Sequence, residues 1–131
     1  MKIKFSNFTK INSSKCELIY FNKIKHFVKN LERIFFLIAK NECVRGNHAH
    51  KKCSQFFFSL GSSTKIYLDD GKKEKIILLR SGEIIKVDPL IWVKVKLKKN
   101  QIVGVFCNKK YTHTDYIRNY KNFMKIIKKS Q

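Results

Sequence analysis

The chain has 131 residues, 44% of them hydrophobic, enough for one domain spanning 1–131 to bury about two thirds of its unfolded surface without disulfide or metal staples. No apolar run approaches the roughly 20 residues that cross a bilayer, and the opening MKIKFSNFTK lacks the apolar core of an export signal, so a cytoplasmic protein with no membrane partner is expected. The net charge of +20 comes from 25 scattered lysines against four arginines, with no zinc finger, helix-turn-helix or Arg-Gly tail, so a nucleic-acid partner is not expected either.

In chain order, residues 1 to 31 read weakly, as one or two edge strands. Then come ERIFFLIAK (32 to 40), CSQFFFSL (53 to 60), STKIYLDD (63 to 70), KEKIILLR (73 to 80), EIIKVDP (83 to 89), IWVKVKL (91 to 97) and QIVGVFC (101 to 107). These are short, β-branched or aromatic segments, separated by turn formers such as Gly61-Ser62, Asp69-Asp70-Gly71 and Ser81-Gly82, which predicts an all-β antiparallel barrel or sandwich. The tail breaks the pattern. A helix through YIRNYKNFMKIIKK, capped by Thr114 or Asp115, would place Tyr116, Tyr120, Phe123 and Ile127 on one face that docks by packing. Cysteines at 16, 43, 53 and 107 form no Cys-x-x-Cys pair, which fits reduced, packed thiols.

The chemistry concentrates in RGNHAHKKCSQ (45 to 55). If this stretch is extended, His48 and His50 point to one side while Asn47, Ala49 and Lys51 point to the other, so two imidazoles share one pocket. That arrangement serves either a metal or proton transfer. By the same parity Gln55 falls on the opposite face, provided the strand is unbroken.

A small barrel with His-x-His near a strand end is similar to the cupins. Their metal-binding members add a Glu four or five residues on and a later His beside a Pro-Gly turn. Here those positions hold Gln55 and, after Pro89, Leu90 with Trp92 and Val93. Two of four ligands are absent, so no metal is expected and the histidines are free to move protons.

Taken together, RGNHAHKKCSQ, LDDGKK (68 to 73), PLIW (89 to 92) and YTHTDYIRNYKNF (111 to 123) closely resemble the sugar 3,4-ketoisomerase family over roughly residues 33 to 123. The resemblance implies a cupin jelly roll, a cytoplasmic homodimer, a dTDP-linked keto-deoxysugar substrate and no cofactor. Such an enzyme moves the carbonyl of dTDP-4-keto-6-deoxyglucose from C4 to C3, for synthesis of a 3-amino-3,6-dideoxyhexose of a surface polysaccharide. His48 and His50 would be the acid-base pair, with His48 as base and His50 as relay. Arg45, Arg33, Gln55 and Trp92 would bind substrate, either arginine clamping the diphosphate.

The chain departs from the family where members often carry a tyrosine ahead of the motif, since Phe35 and Phe36 stand there. Two other functions remain open: a nucleotide-sugar 3,5-epimerase, against which the second histidine argues, and a non-catalytic cupin that binds nucleotide sugar.

Overall fold

The computed structural model describes residues 1–130. The strands are β1 (Lys4–Asn7), β2 (Thr9–Asn12), β3 (Glu17–Tyr20), β4 (Arg33–Ile38), β5 (Cys43–His50) and β6 (Gln55–Leu60) in the first half. They continue as β7 (Thr64–Asp69), β8 (Glu74–Leu79), β9 (Glu83–Val87), β10 (Trp92–Leu97), β11 (Ile102–Cys107) and β12 (Tyr116–Ile117), followed by helix α1 (Tyr120–Lys129). Two five-stranded antiparallel sheets, ordered β1-β9-β6-β11-β4 and β12-β5-β10-β7-β8, face each other, and β2-β3 forms a separate hairpin. This is the expected all-β cupin jelly roll with a short C-terminal helix.

Alternation builds the barrel core. In β10, Val93, Val95 and Leu97 are buried while Lys94 and Lys96 are exposed, so apolar side chains go inward at every second position. They meet Phe57, Ile66, Leu68, Leu79, Ile85 and Val103 from the facing strands, and burial of each aliphatic side chain contributes about 1.5–3 kcal/mol. Strand β6 does not alternate: Phe56, Phe57 and Phe58 are all buried. Phe57 enters the barrel, whereas Phe56 and Phe58 lie under a second cluster with Phe8, Val28, Ile84 and Phe106. The N-terminal segment provides that cover. β1 is an edge strand on β9, as expected, but residues 8 to 28 lie over the sheet. A Cβ on Gly104 would collide with the Phe58 ring, so glycine there makes room for that packing.

Two features differ from the expected elements. Strand β5 continues through Gly46-Asn47, which forms a bulge within it: pairing with β10 shifts between Val93 and Lys94. Gly46 and Asn47 have φ of 83° and 59°, and a Cβ on Gly46 would sit 2.9 Å from the Val93 carbonyl oxygen. Glycine therefore permits the bulge that sets the aim of His48.

The helix also begins later than Thr114 or Asp115. Asn119 is its cap, its side chain accepting from the Asn122 amide at 3.1 Å. Residues Tyr116 and Ile117 pair instead with His50 and Ala49 as β12. Phe123 and Ile127 are buried as the stripe requires, but Tyr116 is not on the helix. The edge strand β4 leaves Ile34, Phe36 and Ile38 half or more exposed on its outer side.

Candidate active site

From β5, His48 and His50 do point to one side, with Ala49 on the other in a cluster with Trp92, Ile117, Phe123 and Ile127. The two rings are perpendicular with centroids 5.0 Å apart. His48, Arg45, Gln55, Phe35, Tyr116 and Arg118 face a cavity of about 270 Å³ inside the barrel. His50 lies behind His48, almost fully buried. A groove of about 1010 Å³ is larger but lies along the outer side of β7, β8 and β10 and holds neither histidine.

Each imidazole is held neutral by a different balance. Burial, then the neighbouring His50 and the Arg118 charge, depress the His48 pKa to about 4. Burial also lowers His50, opposed by the Asp115 carboxylate, whose Oδ2 is 3.0 Å from Nδ1. Burial works to raise Asp115, but the hydrogen bonds from His50 and from the Lys52 and Cys53 amides leave its net pKa below the usual carboxylate range. With a charged carboxylate at Nδ1, neutral His50 carries its proton there and presents the Nε2 lone pair to the site.

Arginines surround the pair. Arg33 donates from Nη2 to the Tyr116 hydroxyl at 3.2 Å and to the Cys107 sulfur at 3.4 Å; burial alone would lower its pKa, but these contacts keep it raised. The Cys107 thiol is drawn below its ordinary range by hydrogen bonds with Cys53, Arg33 and Gln55. Cys53, in turn, is pushed up by that bond and by burial. The Arg118 guanidinium lies 4.3 Å over the Tyr116 ring, and Arg45, exposed, stands at the cavity mouth.

The expected site residues divide. Gln55 is not on the far face: residues 51 to 54 leave the strand, the parity count fails, and its side chain lines the cavity with His48. Arg45 lines the cavity, and Arg33 reaches it through Tyr116. Trp92 is the correction in the other direction. It alternates with inward Val93, so it lies outside the barrel, donating from Nε1 to Asn47 at 3.1 Å and packing on Tyr120 and Phe123. It holds the bulge and lies outside the histidine cavity. Asp115, Tyr116 and Arg118 belong to the site although the sequence around them reads as a helix start; the Tyr-x-Arg alternation that places Tyr116 and Arg118 on one side of a strand is the available signal.

Four buried side-chain atoms have no hydrogen-bond partner among the described residues: Arg33 Nε, His48 Nδ1, His50 Nε2 and Gln55 Oε1. All four belong to this one site. Leaving such a group unpaired costs about 1–3 kcal/mol, so their convergence marks where a polar ligand is accepted. That ligand does not fit the description of a divalent cation. His50 Nδ1 is committed to Asp115, three guanidinium groups stand around the site, and the group formed by His50, Cys53 and Asp115 within 4.8 Å has a thiol whose raised pKa opposes thiolate formation.

A curated TDP-4-oxo-6-deoxy-alpha-D-glucose-3,4-oxoisomerase of Aneurinibacillus thermoaerophilus is 34% identical over 132 residues, covering 98% of this chain and 95% of the relative. QdtA, a sugar 3,4-ketoisomerase from Thermoanaerobacterium thermosaccharolyticum solved with TDP, superposes with a TM-score of 0.84 at 27% identity, over 98% of this chain and 96% of that one. A 3,4-ketoisomerase from Helicobacter canadensis gives 0.84 at 26% identity, over 98% of each chain. The family model described as FdtA: WxcM-like, C-terminal matches residues 1–128, and with the barrel and its paired histidines in place, the chain belongs to that family.

Proposed function

We propose that the protein is a sugar 3,4-ketoisomerase that converts TDP-4-keto-6-deoxyglucose to its 3-keto isomer. The observation that carries this reading is the gathering of two neutral imidazoles and two further unpartnered polar atoms at one site, His48 and Gln55 on the cavity wall and His50 and Arg33 behind it. The relatives support the substrate: an asparagine-for-histidine variant of QdtA was solved with TDP-4-keto-6-deoxyglucose.

The reaction needs proton movement only. A base takes the C3 proton, the C3–H electrons form the C3–C4 double bond, and the C4 carbonyl oxygen becomes an enediolate oxygen. A proton then returns to C4 while the O3 proton leaves and C3 becomes the carbonyl. No oxidant or cofactor enters the balance. His48 reaches the cavity and serves as the base; His50, held by Asp115 behind it, relays the oxygen proton. Positioned acid-base groups of this kind contribute roughly 10²- to 10⁴-fold each. Arg45 at the mouth is placed for the diphosphate, and the general basic surface draws an anionic nucleotide sugar inward. A 3-keto product suits a later amination at C3, for a 3-amino-3,6-dideoxyhexose.

The reading extends to a cytoplasmic homodimer. No described helix is long and apolar enough to cross a membrane, and the described cysteines are all free thiols, which suits a reducing compartment. Ile34, Phe36 and Ile38 on edge strand β4 form the apolar face that a second copy would cover. Incubation with TDP-4-keto-6-deoxyglucose in deuterated water, followed by NMR, tests the activity: a 3-keto product supports it. Deuterium entry at C3 and C5 without transposition would indicate an epimerase, and no change a binding protein.

A further inference from the structure

Resting on the isomerase reading, we propose that Tyr116 is a third catalytic group, whose hydroxyl donates a hydrogen bond to the sugar oxygen that becomes negative in the enediolate. Tyr116 is placed by strand pairing: β12 sets it opposite His50, with its ring 4.3 Å from the His50 ring and 5.0 Å from that of His48. It lines the same cavity as His48 and Gln55. A phenylalanine would supply every one of those ring contacts, and the stacking of Arg118 as well. The hydroxyl needs a separate reason.

Arg33 gives that reason. Guanidinium can only donate, so the Arg33 Nη2 bond at 3.2 Å occupies a lone pair of the phenol oxygen and leaves the phenol proton uncommitted. No protein acceptor takes that proton among the described residues. The arrangement fixes the oxygen, keeps a cation beside it and leaves a free donor on a residue that lines the same cavity as His48. This is the geometry that stabilises charge developing on an oxygen without reorganisation. The proton stays on Tyr116 throughout, and no covalent bond forms to it.

Tyr116→Phe tests the idea with the ring contacts kept. Measured against TDP-4-keto-6-deoxyglucose, kcat should fall roughly 10²- to 10³-fold, the range for loss of one oxyanion donor. Deuterium exchange at C3 should fall in parallel, because the same enediolate is stabilised, while TDP binding by calorimetry should stay within about threefold because the proposed contact is to the sugar and not to the nucleotide. A folded, TDP-binding variant with kcat within about threefold of the wild type would overturn the proposal, the threefold margin being far below a lost donor. If the phenylalanine variant does not fold, O-methyltyrosine incorporated at position 116, which keeps the ring and its oxygen but removes the donor proton, supplies the answer: kcat should fall by a comparable factor, and an unchanged kcat would overturn the assignment. Wild-type protein that neither isomerises nor exchanges the C3 proton would remove the isomerase reading itself, and this assignment with it; an active wild type with an unaffected variant removes only the role of Tyr116.

Discussion

His50 Nδ1 and Asp115 Oδ2 lie 3.0 Å apart although 65 positions separate them in the chain. The contact closes because β12 pairs with the end of β5 and because Asp115 is itself pinned by the Lys52 and Cys53 amides. It fixes the protonated nitrogen of His50 and so the nitrogen that can act. Asp115→Asn should lower kcat by about 10²-fold at neutral pH, the scale of a misdirected acid-base group. The carboxylate also holds the His50 pKa up, so its removal should move the acid limb of kcat to lower pH. Rate-pH profiles of the two proteins check both effects; an unchanged profile would make Asp115 a loop anchor only.

Acid should destabilise the fold in a defined window. His48 has a pKa of about 4 in the folded protein against 6.5 when free, so between those values the unfolded chain takes up a proton that the native state refuses. Stability is therefore complete above pH 6.5 and falls as the pH drops toward 4, by at most about 3 kcal/mol from this group. The lowered pKa of His50 acts in the same direction. The depressed carboxylates Asp70 and Asp115 add a loss below pH 3.8, outside this window. Urea unfolding of wild type and His48→Asn at pH 7, 5.5 and 4.5 should show a smaller loss in the variant; equal losses would place the acid sensitivity elsewhere.

Chelation should leave turnover intact. The site surrounds its histidines with Arg33, Arg45 and Arg118 and offers a neutral amide, Gln55, as the next donor. Activity after dialysis against EDTA is expected to equal that before it. Activity lost with a stoichiometric transition metal and restored by adding the metal back would contradict the proton-only mechanism.

Assembly should depend on β4. Phe36, 52% exposed between Ile34 and Ile38 on the same side, would place a charge in the contact if changed to glutamate. Light scattering at micromolar concentration should give a dimer mass for the wild type and a monomer mass for Phe36→Glu. A monomeric wild type would remove the proposed interface.

Much of this was legible in the sequence because two rules apply locally. Alternation and turn chemistry gave most of the strands, and His-x-His spacing put both imidazoles on one side of β5. The misses share a cause: they depend on which distant strand lies alongside. Asp115, Tyr116 and Arg118 look like a helix start until β5 pairs with them, and the helix then begins at the Asn119 cap. Gln55 and Trp92, both expected to bind substrate, end on different sides of the barrel wall. A break at 51 to 54 brought the glutamine in, and the parity of β10 turned the tryptophan out. The three phenylalanines of β6 carried the remaining signal, since a run buried on both faces requires a cover, which residues 8 to 28 supply.

Whether His48 and His50 perform the carbonyl shift together is decided by single-turnover conversion of TDP-4-keto-6-deoxyglucose by His48→Asn and His50→Asn, with TDP affinity measured on the same samples. Affinity should be unchanged, with a rate lower by roughly 10²- to 10⁴-fold for His48→Asn and a smaller loss for His50→Asn, where water can take part in the relay. Both variants converting substrate at near wild-type rates would contradict that joint role.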